Sequence, residues 1–176
     1  MTCVVGVAHT AGVFLGADSA AIDGDDISTG PAKLVNVGPY LIGYCESFRV
    51  GQAIAYRLKP SAQKCTDPLE HLATVFVDEL RLTLHKAGAT ATGDPDELPG
   101  PLLVAFRGEL YGIDSDYAVH PVDDYAAIGA GAPYALGSLH ATAKCEPAFR
   151  TWEALHAASR HCTAVRQPFH FNTQEP

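Results

Sequence analysis

Short apolar segments rich in Val, Leu, Ile and Ala alternate with turns of Gly, Pro and Asp along the N-terminal part of the chain. Runs this short, with turn residues at both ends, are typical of buried strands. They predict two hairpins, closed by Thr10–Gly12 and by Gly38–Pro39, with a polar turn at Asp23–Asp26 between them. The four predicted strands are Thr2–Ala8, Val13–Ala17, Ala32–Val37 and Tyr40–Tyr44.

Two helix start signals follow these strands. Ser47 is a predicted N-cap for a helix that ends near Leu58, since its hydroxyl can accept a bond from the first helical turn. Asp67 and Pro68 form a stronger signal, because they combine an N-cap acid with proline at the first helical position. The helix behind them is predicted to run to about Lys86 with one apolar face. That face consists of Leu69, Leu72, Ala73, Phe76, Leu80, Thr83 and Leu84.

The second half of the chain repeats the order of strands followed by helices. A Gly- and Pro-rich loop over Ala87–Pro101 is predicted to be the most mobile segment. Separate runs of strands and helices favour an α+β fold, with antiparallel sheets covered by helices, over an alternating parallel fold. The length of 176 residues fits one domain, 1–176. The later predicted elements are strands Leu102–Phe106, Leu110–Ile113, Ala118–Val122 and Ala126–Ile128, helices Pro133–Ala143 and Ala148–His161, and a short strand Phe169–Phe171.

Charge and hydropathy exclude two classes of partner. The formal net charge is −8, and Lys and Arg are scattered, which argues against nucleic-acid binding. No apolar run approaches the ~20 residues that span a bilayer, and the first residues lack the basic flank of a secretory signal. We therefore expect a cytoplasmic protein with no membrane partner.

Cysteine and histidine patterns point to no metal or cofactor. The five cysteines are widely spaced without a C-x-x-C pair, as expected of reduced thiols in a cytosolic protein. The H-E-x-x-H motif is absent, and His156 and His161 are five residues apart, which places them on different faces of a helix. We expect neither a metal site nor a cofactor.

Thr2 is a candidate nucleophile because of its position in the chain. Removal of Met1, which is usual before a small residue, would leave a β-hydroxyl beside a free α-amine. Such an amine, with a reference pKa near ~7.7–8.0, can accept the hydroxyl proton at neutral pH. Many proteins begin with Met-Thr, so this feature alone is weak. Cys3 is an alternative nucleophile only if two residues are trimmed, and its side chain should face the opposite side of the strand.

The sequence around Thr2 gives this feature its weight. The run TCVVGVAHTAGVFLGADSAA, then Lys33, then LIGYCESFRVGQA, resembles the opening of proteasome β-subunits and of the related bacterial two-ring ATP-dependent peptidase. Further along, Ile128–Gly131 is similar to the Gly-x-Gly turn that leads into a helix in this family. The resemblance covers roughly Thr2 to Leu139 and identifies the chain as similar to N-terminal-nucleophile hydrolases.

This resemblance implies a fold and a mechanism. The fold would be a four-layer αββα sandwich, and the reaction would be amide hydrolysis through an acyl ester on Thr2. Lys33 would stabilise the Thr2 alkoxide, and Asp18 would pair with Lys33 and orient it. The backbone at Glu46 and Ser47 would bind the oxyanion.

Three departures from the family pattern leave activity open. Glu46 stands where the family usually has Gly, and Ala130 stands where the Gly-x-Gly turn commonly carries Ser. The family's acidic residue near the last helix has no counterpart in Ser159–Thr163, where His161 is the remaining hydrogen-bonding group. A catalytically inactive, ring-forming scaffold subunit is therefore the alternative to a threonine peptidase, and an amidase for small molecules is a third possibility.

Family membership would also imply partners. The expected substrate is a peptide or an unfolded protein that adds as an extended strand beside the site. The resemblance further implies a homo-oligomeric ring and an ATP-dependent unfoldase that feeds it.

Overall fold

The computed structural model describes residues 2–60 and 66–176. Met1 and residues 61–65 lie outside the described residues, so the removal of Met1 stays a prediction.

Apart from β3 and β4, the described elements follow the predicted order of strands and helices. The strands are β1 (Val4–His9), β2 (Gly12–Ala17), β3 (Ala20–Asp23), β4 (Asp26–Thr29), β5 (Leu34–Val37), β6 (Tyr40–Tyr44), β7 (Leu102–Phe106), β8 (Glu109–Ile113), β9 (Val119–Val122), β10 (Tyr125–Ile128) and β11 (His170–Gln174). The helices are α1 (Phe48–Arg57), α2 (Pro68–His71), α3 (Val77–Ala87), α4 (Ala132–Ala141) and α5 (Pro147–His161). A π-helical segment, Leu72–Phe76, joins α2 to α3.

Two antiparallel sheets form the centre of the fold. The first has the strand order β10-β1-β2-β11 and the second the order β5-β6-β7-β8-β9. The predicted hairpins are confirmed, because β1 pairs with β2 from Val4 opposite Ala17 to His9 opposite Gly12, and β5 pairs with β6. Alternation along β1 then sends neighbouring side chains to opposite faces of the first sheet.

Three apolar clusters show how the layers stack. Val4 and Leu15 of the first sheet pack with Leu41 and Leu103 of the second. On the outer face of the first sheet, Val5 and Val7 pack with Leu139 of α4 and Leu155 of α5. On the outer face of the second sheet, Ile42 and Val104 pack with Ile54 of α1 and Leu80 of α3. The arrangement is the four-layer αββα sandwich that the resemblance implied.

The β3–β4 pair was not predicted as strands. It is a separate two-stranded sheet around the polar turn Asp23–Asp26. All four residues of β4 are exposed, so the segment shows no alternation of apolar and polar positions that could indicate a strand.

The helical segment after Asp67 begins as predicted but has a different buried face. The Asp67 carboxylate accepts a hydrogen bond from the Leu69 N–H at 2.9 Å, which confirms the N-cap. Ala73 was predicted to be buried and is exposed, whereas His71 is buried. The π-helical turn explains the difference, because its wider winding rotates the residues within it away from their α-helical positions.

The loop over Ala87–Pro101 is attached to the second sheet. Leu98 is 2% exposed, and its N–H donates to the Ser115 carbonyl at 2.9 Å. The mobility predicted for this loop stays a prediction.

Among the described residues, no helix is both long and apolar enough to cross a membrane.

His71 lies in an aromatic cluster at the end of the second sheet. Its side chain is 3% exposed, and its Nε2 lies 2.6 Å from the Tyr40 hydroxyl oxygen. The Phe106 ring centroid is 5.4 Å from that of His71. No described residue offers a hydrogen bond to the buried Nδ1. Burial lowers the pKa of His71, and the positive charge of Arg107 lowers it further against an opposing effect of Glu79.

We expect acid to destabilise the fold through His71. Below a pH of about 6.5 the unfolded chain binds a proton on this side chain, whereas the folded protein binds it only at a lower pH, so the free energy of unfolding falls as pH falls through this range. The contribution is complete above that pH and decreases by at most about 1.4 kcal/mol per pH unit. Urea denaturation at pH 7.5 and 5.5 should show a smaller difference for His71→Gln, which keeps a neutral partner for Tyr40. An unchanged pH dependence in that variant contradicts the expectation.

Candidate active site

The Asp18 carboxylate, immediately after β2, accepts four hydrogen bonds at one end of the paired sheets. It has no solvent exposure. Its Oδ1 accepts hydrogen bonds from Lys33 Nζ at 2.8 Å and from the Cys3 N–H at 3.0 Å. Its Oδ2 accepts from the Ala20 N–H at 2.8 Å and from the Arg166 N–H at 3.2 Å. Four donors from separate parts of the chain therefore hold one carboxylate.

Lys33 and Asp18 form a buried ion pair. Lys33 is 2% exposed, and its Nζ lies 5.9 Å from the Phe48 ring centroid. Removing two charges from water costs several kcal/mol per ion in proteins, and apolar residues often replace such pairs without loss of stability. A buried ion pair that adds little net stability is a candidate for a functional role, and the groups beside it indicate which role that is.

Thr2 lies beside this pair and is held by its backbone. Thr2 is 1% exposed, and its carbonyl accepts a hydrogen bond from the Gly131 N–H at 3.1 Å. A Cβ on Gly129 would lie 2.4 Å from the same carbonyl oxygen, and the φ of Gly129 is +87°. Only glycine fits there, so the Gly129–Gly131 turn packs directly against the Thr2 backbone.

A small pocket joins Thr2 to the other candidate residues. Its volume is about 100 Å³. The pocket brings together Thr2, Lys33, Glu46 and Ser47. Asp18 is outside the lining and contacts Lys33. The full lining is Thr2, Ala20, Ile22, Lys33, Tyr44, Cys45, Glu46, Ser47 and Phe48.

A larger groove lies elsewhere and lacks this chemistry. It has a volume of about 490 Å³ and is lined mainly by apolar groups of β2, α5 and β11, including Trp152 and Phe171. No charged side chain lines it. We therefore place the candidate site at the smaller pocket, where a hydroxyl and a buried ion pair meet.

The turn between β6 and α1 has an unusual backbone. Glu46 has a φ of +66°, in the left-handed region that favours glycine. The Ser47 N–H donates to the Cys45 carbonyl at 2.9 Å, and the Ser47 hydroxyl accepts from the Arg49 N–H at 3.2 Å. The predicted N-cap of α1 is thus confirmed. The family that the sequence resembles usually has glycine at this position, and glycine is the residue that this backbone conformation favours.

The two supporting candidates do not line the pocket. Ala130 is exposed in the turn that packs on Thr2, and it has no group that can move a proton. His161 ends α5 and stacks on Tyr134, with ring centroids 5.7 Å apart. His161 therefore contacts α4 and is absent from the pocket lining.

Cys3 is poorly suited to be a nucleophile. Its side chain is fully buried in the cluster beneath α4 and α5. Burial, with a smaller effect of the Asp18 charge, raises the pKa of the Cys3 thiol to about 12. The thiol stays protonated at neutral pH, and a protonated thiol is a weak nucleophile.

Sequence reasoning missed the contacts that the segment after α5 makes with the site. The Arg166 N–H binds Asp18, and the Arg166 carbonyl accepts from the Ser19 N–H at 2.9 Å. The buried Ser19 hydroxyl donates to the Pro168 carbonyl at 2.5 Å. Backbone groups have no side-chain signature, so no pattern in the sequence could have indicated these contacts.

No three His, Cys, Asp or Glu side chains in the described part of the chain are grouped to hold a metal ion.

The fold is the one seen in solved structures of HslV and of other proteasome-like proteins. The structure of BPH from Thiobacillus denitrificans superposes with a TM-score of 0.83 at 18% identity, covering 98% of this chain and 97% of that one. The same protein in complex with epoxomicin gives a TM-score of 0.82 at 16% identity, covering 98% of each chain.

Two further proteins share the fold. Eukaryotic HslV from Trypanosoma brucei has a TM-score of 0.71 at 17% identity and covers 99% of both chains. Anbu, an ancestral beta-subunit from Yersinia bercovieri, has a TM-score of 0.69 at 18% identity and covers 98% of this chain and 81% of its own. The sequence itself matches no protein-family model and no curated protein sequence.

Proposed function

We propose that the protein is an N-terminal threonine peptidase that cleaves peptide bonds through an acyl ester on Thr2. One observation carries the proposal: the buried Lys33–Asp18 pair opens into the same small pocket as Thr2. The comparisons support the class of fold. The roles of the individual residues are our inference from their chemistry.

The proposed reaction uses groups of Thr2 itself. After removal of Met1, the α-amine accepts the proton of the Thr2 hydroxyl while its Oγ attacks the substrate carbonyl. Lys33, kept charged and oriented by Asp18, stabilises the developing alkoxide. The protonated amine then gives its proton to the leaving nitrogen, the C–N bond breaks, and an ester to Thr2 remains. Water hydrolyses this ester and regenerates the hydroxyl.

The oxyanion of the tetrahedral intermediate needs backbone donors, which we assign to the Glu46–Ser47 turn. The Ser47 N–H already donates to the Cys45 carbonyl. Its use in catalysis therefore requires this bond to be shared or released when substrate binds. Ala130 contributes no hydroxyl, so in this scheme water takes over the proton transfer that a serine would assist.

A catalytically inactive scaffold subunit is the second candidate function. It is favoured by Ala130 and by His161, since neither places a proton-carrying group in the pocket. A third candidate, an amidase for small molecules, uses the same chemistry on a different substrate. Hydrolysis of small amides but not of peptides would favour it.

We further propose that residues 1–176 act as one domain within a cytoplasmic homo-oligomeric ring served by an ATP-dependent unfoldase. The α4–α5–β11 side of the molecule supports assembly, because it exposes large apolar side chains that a monomer rarely leaves in water. These are Tyr134, Leu136, Phe149, Trp152 and Phe171.

The intact mass of the purified protein before and after a peptide epoxyketone tests the proposed function. Such electrophiles react with both the hydroxyl and the free amine of an N-terminal threonine, and epoxomicin, bound to the T. denitrificans protein, belongs to this class. We expect a mass without Met1 that gains one inhibitor, and no gain in Thr2→Ala. A free Thr2 that reacts with no peptide epoxyketone would instead support the scaffold.

A further inference from the structure

Two cavities share an aromatic wall beside the candidate site. The first is the pocket of about 100 Å³ that contains Thr2. The second has a volume of about 410 Å³ and is lined mainly by residues of β5 and α1. Tyr44, the last residue of β6, and Phe48, the first residue of α1, line both cavities. These two side chains therefore separate the small pocket from the larger cavity.

The Tyr44 side of this wall is held in place by close packing. Tyr44 is 4% exposed, and its hydroxyl donates to the Ala32 carbonyl at 3.3 Å. A Cβ on Gly51 would overlap the Tyr44 ring, so the ring packs directly against the backbone of α1. Displacement of Tyr44 by a substrate would break this hydrogen bond and disrupt the packing, and both effects oppose it.

The Phe48 ring is in contact with two other parts of the chain. A Cβ on Gly30 would lie 2.6 Å from the Phe48 Cζ, so the end of the ring packs on the residue that follows β4. The Lys33 Nζ lies 5.9 Å from the ring centroid, within the range of a cation–π contact. The ring therefore stands between the larger cavity and the buried ion pair beside Thr2.

The volume of the small pocket limits which side chain can bind beside Thr2. A cavity of ~150 Å³ is large enough to bind a benzene ring. The small pocket has about 100 Å³, and part of this space must admit the carbonyl that Thr2 attacks in the proposed reaction. A methyl or hydroxymethyl group fits the remainder. An aromatic side chain would have to displace the wall, and overpacking of this kind is unfavourable.

We propose that Phe48 is a specificity-determining residue that restricts the substrate residue on the acyl side of the scissile bond to a small side chain, such as alanine or serine. The proposal rests on the proposed peptidase function, since it assigns the substrate class of that same pocket. The acyl side is specified because its side chain is the one next to the attacked carbonyl. Without the Phe48 ring, the small pocket joins the cavity of about 410 Å³ behind it, and a large side chain fits.

The first test measures the rate of adduct formation with two peptide epoxyketones that differ only in the residue at the reactive end, alanine or phenylalanine. We expect the unmodified protein to react at least about tenfold faster with the alanine compound. Phe48→Ala should bring this ratio to one or below. Tyr56→Ala removes an aromatic side chain of the same helix that lines the larger cavity and not the small pocket, and it should leave the ratio unchanged.

Phe48→Leu has no ring but keeps apolar bulk, so it should give an intermediate ratio. It carries the test if thermal unfolding shows that Phe48→Ala is not folded. Equal rates in the unmodified protein would overturn the role of Phe48. An unchanged preference for alanine in the folded Phe48 variants would also overturn it, because another group would then limit the pocket.

A second measurement separates this inference from the proposed function. Fluorescence anisotropy measures the binding of fluorescein-labelled peptide amides that end in alanine or phenylalanine to Thr2→Ala, which forms no adduct. We expect the alanine peptide to bind at least about fivefold tighter, and Phe48→Ala in the same background to remove the difference. Selective binding of this kind, without any adduct on protein with a free Thr2, would overturn the peptidase proposal and support the role of Phe48. Adducts without selectivity in rate or in binding would support the peptidase and overturn the role of Phe48. The absence of both binding and adducts would overturn both proposals.

Discussion

Thr2→Ala is expected to abolish peptide hydrolysis, lowering the rate by at least about 10³-fold. Removal of a nucleophile that acts with a base commonly costs more than this, and what remains comes from binding and oxyanion stabilisation. Alanine is small enough for Met1 to be removed, so the variant keeps the free amine and loses only the hydroxyl. Hydrolysis of a panel of fluorogenic peptides measures the effect.

Thr2→Ser is the matched control, since it keeps a hydroxyl beside the amine and differs by one methyl group. We expect it to retain measurable hydrolysis and to form the epoxyketone adduct. Equal hydrolysis by the unmodified protein and Thr2→Ala would assign the activity to another group or to a contaminant. Thermal unfolding of the variants checks that the fold is intact.

Asp18→Asn is expected to lower the free energy of unfolding by about 3–5 kcal/mol, as when one partner of a buried ion pair is removed. Lys33 would be left as a buried charge without its counterion. The asparagine NH₂ would also face backbone N–H groups, because Asp18 accepts from Cys3, Ala20 and Arg166 on both oxygens. Urea denaturation at neutral pH measures the loss.

Lys33→Met should destabilise the protein less than Asp18→Asn, since the carboxylate keeps its three backbone donors. The double variant Asp18→Asn/Lys33→Met should be more stable than the sum of the single effects predicts, by about 1–3 kcal/mol. All three variants should lose activity. A loss below about 1 kcal/mol in Asp18→Asn, or strict additivity in the double variant, would contradict a coupled buried pair.

Local signals predicted much of the fold. The Asp67–Pro68 start and the Ser47 N-cap are both present, because capping depends on side chains close in the sequence. The paired strands β1–β2 and β5–β6 follow apolar runs flanked by turn residues. The β3–β4 pair escaped prediction since its exposed residues lack that pattern. The π-helical turn at Leu72–Phe76 was not predicted either, because no local residue pattern indicates such a turn.

The candidate site was predictable only in part. Thr2, Asp18 and Lys33 carry functional groups that can be read from the sequence, and the structure places them around one pocket. The positive φ of Glu46 depends on tertiary geometry and was not predicted from the sequence. The Arg166 contact with Asp18 is made by a backbone N–H of a distant segment, and no residue type in the sequence indicates such a bond.

The bond from Arg166 to Asp18 also sets an order for the making of the site. These residues are 148 positions apart, so the carboxylate has its full set of donors only after Arg166 has been synthesised. During translation the N-terminal strands leave the ribosome first and can pair early, because their contacts are local. The set of hydrogen bonds that holds the Asp18 carboxylate is therefore completed late. A nascent chain with an exposed N-terminus therefore lacks a finished site while other unfolded chains surround it.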